Sequence, residues 1–445
     1  MPPYFWQQPS PLPMVGVTGF EPAASTSQTS RATNCATPRG VYAIVLYQRV
    51  LRLSSPKAQK KKRKSKNPIK SLDLKGLLCY YIFILLAKEV KKMEIKITQT
   101  ENPGTMPPES TLGFGKCFSD HMFVMDYEEG RGWYDARIVP FGRISLHPAS
   151  TVLHYGAEIF EGLKAYRTAE GNVQLFRPLE NIRRMNRSAE RMCLPLLDED
   201  EALEILETFV RVEERWVPSS FGTSLYLRPF LFGNDESLGV HTVKRATYMI
   251  IASPSGSYYA EGINPVKIMI ESEDVRTVRG GTGYAKCGGN YAASTRAGER
   301  ANKKGYSQVL WLDGVDRKYI EEVGAMNVMF KIDGEIVTPM LTGSILPGIT
   351  RMSCIQVLRD MGYKVSERLL SVDELMAALR DGKLEEAWGC GTAAVVSPIG
   401  RLMYEDKEYV INGEAIGPVT QKLYDTLTGI QWGKLEDKFG WVRKL

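Results

Sequence analysis

Histidine is nearly missing from this chain of 445 residues: there are 4, and no two stand at a metal-ligand spacing. That scarcity leaves little room for chemistry built on imidazole, either as base or as ligand. The 7 cysteines, at 35, 79, 117, 193, 287, 354 and 390, include no Cys-x-x-Cys, so nothing points to a zinc ribbon, a disulfide framework or secretion. No metal site is expected, and a reducing cytoplasm is the expected compartment. Long apolar runs are absent too. The run at 76–87 covers twelve positions, whereas a helix that spans a bilayer needs ~20. It also lies too far from Met1 to act as an ordinary signal peptide.

Charge is placed unevenly. Residues 1–92 carry 16 Lys and Arg against 3 Asp and Glu, which leaves 41 basic and 48 acidic residues for the remainder. An acidic body therefore follows a basic head. The head has no consistent period, and residues 1–40 are rich in Pro, Ser, Thr and Gly, a composition that stays disordered. Residues 57–66 read either as a nucleic-acid or nuclear-targeting tract or as plainly solvated charge. The stretch at 15–39 resembles spurious translation of transfer-RNA genes upstream of bacterial reading frames. Met93 is the expected biological start, and 1–92 are expected to be a disordered or non-native extension.

What the body has in abundance is glycine around one lysine. Between Val278 and Tyr291, five of fourteen residues are glycine, at spacings that suit neither helix nor strand. Lys286 sits among them. A lysine whose environment lowers its pKa exposes a free amine that condenses with carbonyls. The commoner fate of any one lysine is a surface loop, so this stretch needs support from elsewhere in the chain.

In order, the pattern predicts a hairpin over 122–127 and 136–140 and a helix from Pro148 to Gly162. Strands follow at 163–168 and 173–176, helices at 179–192 and 199–215, and strands at 223–231 and 246–252. Residues 253–263, opening with Ser253-Pro254-Ser255-Gly256, read as a linker between domains at 93–252 and 264–445. The second domain opens with a strand at 266–270 and the lysine loop, then a helix at 292–304. Short strands are expected at 309–312 and 327–332, and a helix from Leu346 to about Met361. Ser371 and Glu374 form a capping box, and 389–394 is a second glycine-rich turn. The expected class is α+β, with a cleft where two lobes meet.

Four motifs in this order carry a family resemblance. They are the lysine loop with Gly288-Gly289-Asn290-Tyr291, Glu321-Glu-Val-Gly-Ala-Met-Asn327, Leu346-Pro-Gly-Ile-Thr-Arg351 and Gly389-Cys-Gly-Thr-Ala393. From about Phe114 to the C-terminus the chain resembles the branched-chain aminotransferases, pyridoxal-phosphate enzymes of fold type IV (the D-alanine-aminotransferase-like fold). The resemblance implies a smaller N-terminal α/β domain and a larger C-terminal pseudo-barrel domain. It implies pyridoxal 5'-phosphate held as a Schiff base on Lys286, which then serves as general acid and base. Glu322 is implied beside the ring nitrogen, and Tyr291 on the phenolic oxygen. Arg184, Leu346, Ile349, Thr350 and Thr392 are implied around the ring and phosphate, the helix start supplying free amides. Arg183, beside Arg184, reads as solvated.

For substrate, the resemblance implies the amides of Thr392 and Ala393 on the α-carboxylate, assisted by Tyr155. Arg228 would take the γ-carboxylate of glutamate, while Phe114, Phe160, Tyr226 and Tyr258 wall an apolar space. For Phe160 ordinary core packing competes with that role. Leu238 and Val240 match a loop that reaches a neighbour's site, which implies a homodimer. The implied reaction moves the amino group of leucine, isoleucine or valine to 2-oxoglutarate, within branched-chain amino-acid biosynthesis. No nucleic acid or membrane partner is implied for the body. Two departures stand out: Ala394 and Ser397 occupy positions where some relatives carry a redox cysteine pair, and Ala325 replaces a threonine.

A D-amino-acid aminotransferase or an aminodeoxychorismate lyase would use the same lysine. The long first domain and the Tyr226–Arg228 motif favour the branched-chain branch. A basic membrane- or nucleic-acid-associated protein would rest on residues 57–92 alone.

Overall fold

Strict alternation along residues 225–231 organises the first half. Leu225, Leu227 and Leu231 are fully buried on one face, while Tyr226, Arg228 and Phe230 emerge on the other. The computed structural model describes residues 93–256 and 263–445. The basic tract at 57–66, the apolar run at 76–87 and Tyr258 lie outside the described residues.

The body opens with β1 (Lys96–Ile97), β2 (His121–Glu128) and β3 (Gly132–Pro140), the last two as the expected hairpin. Next come α1 (Thr151–Tyr155), β4 (Glu158–Phe160), β5 (Leu163–Arg167) and β6 (Val173–Phe176). Then follow α2 (Pro178–Met192), α3 (Glu199–Val212), β7 (Ser224–Gly233) and β8 (Arg245–Ser255). The strands line up as β1-β3-β2-β8-β7-β5-β6, with β4 against β7. Ile182, Met185, Ile205 and Phe209 from the two long helices pack on the buried face of this sheet. Asp198 caps α3 by accepting from the amides of Asp200 and Glu201, both at 3.0 Å.

The second half contains β9 (Val266–Ile270), α4 (Gly288–Lys303), β10 (Gln308–Leu312), β11 (Ile320–Val323), β12 (Met326–Ile332) and β13 (Glu335–Pro339). It continues through α5 (Ile349–Asp360), β14 (Val365–Arg368), α6 (Val372–Arg380), β15 (Leu384–Gly391), β16 (Val395–Tyr404), β17 (Lys407–Val410), α7 (Pro418–Gln431) and β18 (Val442–Lys444). Strands β11-β10-β9-β16-β15-β12 form a ring that closes where β12 pairs back with β11. Ile268, Leu310, Val323, Phe330 and Leu402 belong to the apolar cluster of this barrel, so it is a packed core rather than a pore. The α+β class and the pseudo-barrel are as expected. Ser371 caps α6, accepting from the amide of Glu374 at 3.1 Å.

Several boundaries differ from the sequence reading. The helix expected over 148–162 is α1 alone: Gly156 turns left-handed at φ 56°, and Ile159 then pairs with Leu231 of β7. Residues 253–255, expected in the linker, finish β8 against β7. Pro254 is tolerated there because β2 pairs with β8 only as far as Ile250, leaving no donor required on that side. Helix α4 starts at Gly288, not Ala292. Gly391, expected in a turn, ends β15. The last strand, β18, leaves the second half and pairs with β6 of the first sheet.

Candidate active site

The lysine loop is shaped by contacts that exclude side chains. A Cβ on Gly283 would overlap the Ser344 carbonyl and the Thr277 hydroxyl, and one on Gly288 would overlap the Glu158 carboxylate. Asn290, in the first turn of α4, stitches the loop by donating to the carbonyls of Thr282 at 2.8 Å and Ala285 at 2.9 Å. The amide of Lys286 donates to Ser188 Oγ at 2.9 Å, and its carbonyl accepts from Phe160 at 2.9 Å. The backbone of Lys286 is therefore fixed by α2 and β4.

Its amine is held as firmly. Lys286 Nζ lies 2.7 Å from the Tyr291 hydroxyl, and 4.4 Å from the centre of the Phe160 ring. Burial, and then the positive charge of Arg184, push the Lys286 amine down to about 7, with Glu161 pulling the other way. A substantial neutral fraction exists at neutral pH, which is what nucleophilic attack on a carbonyl requires.

Arg184 does not face the cleft alone. Glu161, 1% exposed, takes its guanidinium in a fork, Nε to Oε1 at 2.7 Å and Nη2 to Oε2 at 2.8 Å. Asn181 adds a bond to Glu161 Oε2 at 2.8 Å. Burial works to raise the Glu161 carboxyl, yet the facing Arg184 holds it below the usual range. The remaining Arg184 nitrogen, Nη1, reaches the Pro347 carbonyl at 3.3 Å, beside the start of α5. Arg183 pairs on the surface with Glu180 and Glu199.

Glu322 lies on β11. Its Oε1 accepts from the Leu346 amide at 2.7 Å, and its Oε2 stands 3.3 Å from Nε of the buried Arg276. Burial pushes the Glu322 carboxyl up, against the pull of Arg276. Arg276 also donates to the carbonyls of Gly283 and Ser344, tying the lysine loop to the segment before α5.

Between Glu322 and α5 lies a cleft lined by Arg184, Lys286, Glu322, Leu346, Thr350 and Thr392. No side chain caps α5, so the amides of its first turn, including Ile349 and Thr350, remain free for an anion. Ala325 also faces the cleft. Gly348 is needed because a Cβ would strike Asn327, whose amide holds the Leu346 carbonyl at 2.9 Å.

The aromatic residues converge on the same place. Arg228 Nη2 donates to the Tyr226 hydroxyl at 3.1 Å, and its guanidinium carbon lies 4.7 Å from the Phe160 ring centre. Phe160, half-buried, packs against both Arg228 and Lys286. Phe114 meets Tyr226 edge-on at 4.8 Å, and a Cβ on Gly162 would collide with the Tyr226 hydroxyl. Thr392 reaches the cleft, and Ala393 follows in the same turn, its carbonyl bonded to Lys164. Tyr155 is placed elsewhere. It is 43% exposed, and its hydroxyl donates to the carbonyl of Leu238, next to the strongly exposed Val240.

Glu161, Asn181, Arg276 and Lys164 were not singled out from the sequence. For Glu161 and Lys164 the signal was available: both are charged residues inside the apolar run 159–166.

A buried amine with a depressed pKa, a buried acid and an uncapped helix start share one cleft, an arrangement that can condense a lysine with a phosphorylated carbonyl group. Residues 158–402 match the amino-transferase class IV family, and the chain belongs to it. It is 52% identical over 353 residues to branched-chain-amino-acid aminotransferase 2 of Bacillus subtilis, covering 79% of this chain and 97% of that protein. To branched-chain-amino-acid transaminase 1 of Bacillus subtilis it is 53% identical over 337 residues, 76% of this chain and 95% of the other. Among solved structures, the branched-chain amino acid aminotransferase of Escherichia coli superposes with a TM-score of 0.60 at 29% identity, covering 72% of this chain and 98% of that one. A second branched-chain amino acid aminotransferase, solved with pyridoxamine 5'-phosphate, gives 0.61 at 28% identity, over 72% and 97%.

Proposed function

We propose that this chain is a branched-chain-amino-acid aminotransferase, moving the amino group of leucine, isoleucine or valine to 2-oxoglutarate. The observation that carries the reading is the depressed Lys286 amine in a cleft bounded by Glu322 and the uncapped start of α5. These residues fit pyridoxal phosphate: the α5 amides with Thr350 and Thr392 suit a phosphate, and Glu322 suits a ring nitrogen. Bound there, the cofactor supplies the electron sink that makes the amino acid's Cα–H acidic. The work of the chain's own residues follows from their placement. Lys286 Nζ would take the proton from the amino acid's Cα and deliver it to the carbon that was the cofactor's carbonyl carbon, so that the amino group changes hands. Tyr291 steers that amine through its hydroxyl. Glu322, with Arg276 beside it, keeps negative charge at the far end of the cleft.

We assign the α-carboxylate to the Thr392 and Ala393 amides, and the apolar space to Phe114, Phe160 and Tyr226. Arg228 stands ready for a γ-carboxylate: its Nε is buried without a hydrogen-bond partner, and one edge of its guanidinium rests on Phe160. We further infer a cytoplasmic homodimer. Leu238 and Val240 are 67% and 83% exposed, and Tyr155 is bonded to the same loop. Tyr155 is therefore better placed to serve a partner's site together with that loop than its own. No helix among the described residues is long and apolar enough to cross a membrane. The two lobes of this reading, 93–252 and 264–445, share the cleft between them.

A panel of amino donors against 2-oxoglutarate tests the function. Leucine, isoleucine and valine should all react with formation of glutamate. Turnover of D-alanine alone, or of an aminodeoxychorismate-type substrate without any acceptor, would replace this reading with one of the sister activities.

A further inference from the structure

Lys164 is the second residue of β5, 8% exposed, and among the described residues no carboxylate pairs with it. An unpaired buried ammonium costs stability, so apolar packing does not account for a lysine at this place. Its Nζ donates to the Ala393 carbonyl at 2.7 Å, a bond between residues 229 positions apart. The register sets Lys164 opposite Tyr226, so both side chains leave the sheet on the same face, toward the cleft. Around it stand Asn181 of α2, Thr350 of α5, Thr392 of the turn and Gln431 of α7, with Tyr166 further along β5. None of these carries a charge at neutral pH.

The turn that Lys164 holds is strained. Val395 adopts φ 61°, a left-handed backbone that a β-branched residue rarely takes, directly where Gly391 pairs with it across the turn. Such a conformation persists only where its surroundings over-determine it. The bond from Lys164 is one such constraint, and it arrives from a different sheet.

We propose that Lys164 is the positioning residue of the 391–394 turn: its ammonium fixes the Ala393 carbonyl, holds the neighbouring peptide planes toward the substrate, and places a positive charge beneath the α-carboxylate. The proposal rests on the reading of Thr392 and Ala393 as the carboxylate site. Burial pushes the Lys164 amine down to about 8, so the charge is lost in mildly alkaline solution. An arginine in its place would stay charged throughout.

Calorimetric titration of the holoenzyme with 4-methylpentanoate and with its uncharged amide, 4-methylpentanamide, tests this. At about pH 7 the wild-type protein should prefer the carboxylate by roughly tenfold or more, a margin in the range of one charge-assisted contact. At about pH 9.5 that preference should fall several-fold as Lys164 loses its proton. Lys164→Met should erase the preference at both pH values, and Lys164→Arg should keep it at both. A wild-type preference that survives in Lys164→Met overturns the proposal. Should that variant fail to fold, a pH-independent wild-type preference, or its loss in Lys164→Arg, overturns it equally. A wild-type protein that never prefers the carboxylate removes the carboxylate turn itself, a different result from the failure of Lys164.

Discussion

Arg276 and Glu322 form a buried ion pair, Nε to Oε2 at 3.3 Å, with Glu322 lining the cleft. The guanidinium also bonds the carbonyls of Gly283 and Ser344, so one residue ties the acid to the loop that carries Lys286. Removing one partner of a buried pair typically costs about 3–5 kcal/mol. Arg276→Met should therefore lower the melting temperature and let the Glu322 carboxyl rise further. It should also reduce kcat in both half-reactions. Because the two residues act as a unit, adding Glu322→Gln to Arg276→Met should cost far less than Glu322→Gln does alone. Additive losses in the double-mutant cycle would separate the two roles.

Stability of the cofactor-free protein should depend on pH through Lys286. Its amine falls from an ordinary 10.5 to about 7 on folding. Between those values the unfolded chain binds the extra proton, so the folded state is penalised in full below about 7 and not at all above about 10.5. Urea titrations should show stability rising with pH over that window, and Lys286→Met should flatten the rise. An equal slope in the variant would mean that the amine is not desolvated.

Gly162→Ala should damage the site with little effect elsewhere. The added Cβ meets the Tyr226 hydroxyl, which the Arg228 guanidinium holds at 3.1 Å. Overpacking of this kind costs roughly 1–3 kcal/mol. KM for amino acids should rise as Tyr226 is displaced, while Gly289→Ala, where a Cβ meets open space, should have a smaller effect on KM.

Arg228 separates the two kinds of substrate. Glutamate brings a γ-carboxylate into a space walled by Phe160 and Tyr226, and leucine does not. Arg228→Ala should weaken the glutamate half-reaction by about 1.5–3 kcal/mol, roughly ten- to a hundredfold in the specificity constant, and the leucine half-reaction much less. Single-turnover rates for each amino acid decide it. Equal losses would mean that Arg228 shapes the cleft without reading the charge.

The parts legible in the sequence were those whose cause is local. The strand at β7, the serine cap of α6 and the glycine loop around Lys286 all follow from neighbours a few residues away. The misplaced boundaries had distant causes. Gly156 and Gly162 look alike as helix stops, and only the pairing of Ile159 with β7 chooses the first. Gly288 and Gly289 read as loop because glycine weakens helices, yet the Glu158 carboxylate accepts the Gly288 amide at the start of α4. Glu161, Arg276 and Lys164 escaped notice for the same reason. Each is a single charged residue with a partner 23, 68 or 229 positions away; the apolar run 159–166 marks Glu161 and Lys164 as buried charges, but no local pattern names their partners.

The central claim is that Lys286 is the amine that holds the cofactor. The chain offers a second buried, depressed lysine near the same cleft, Lys164, so the assignment is a real choice between two residues. Borohydride reduction of the holoenzyme, followed by proteolysis and mass spectrometry of the pyridoxyl-labelled peptide, reads the answer directly. The account predicts the label on Lys286 alone, and a Lys286→Ala variant that folds, takes up no label and transfers no amino group. Label on Lys164 or any other lysine, with Lys286 unmodified, would contradict it.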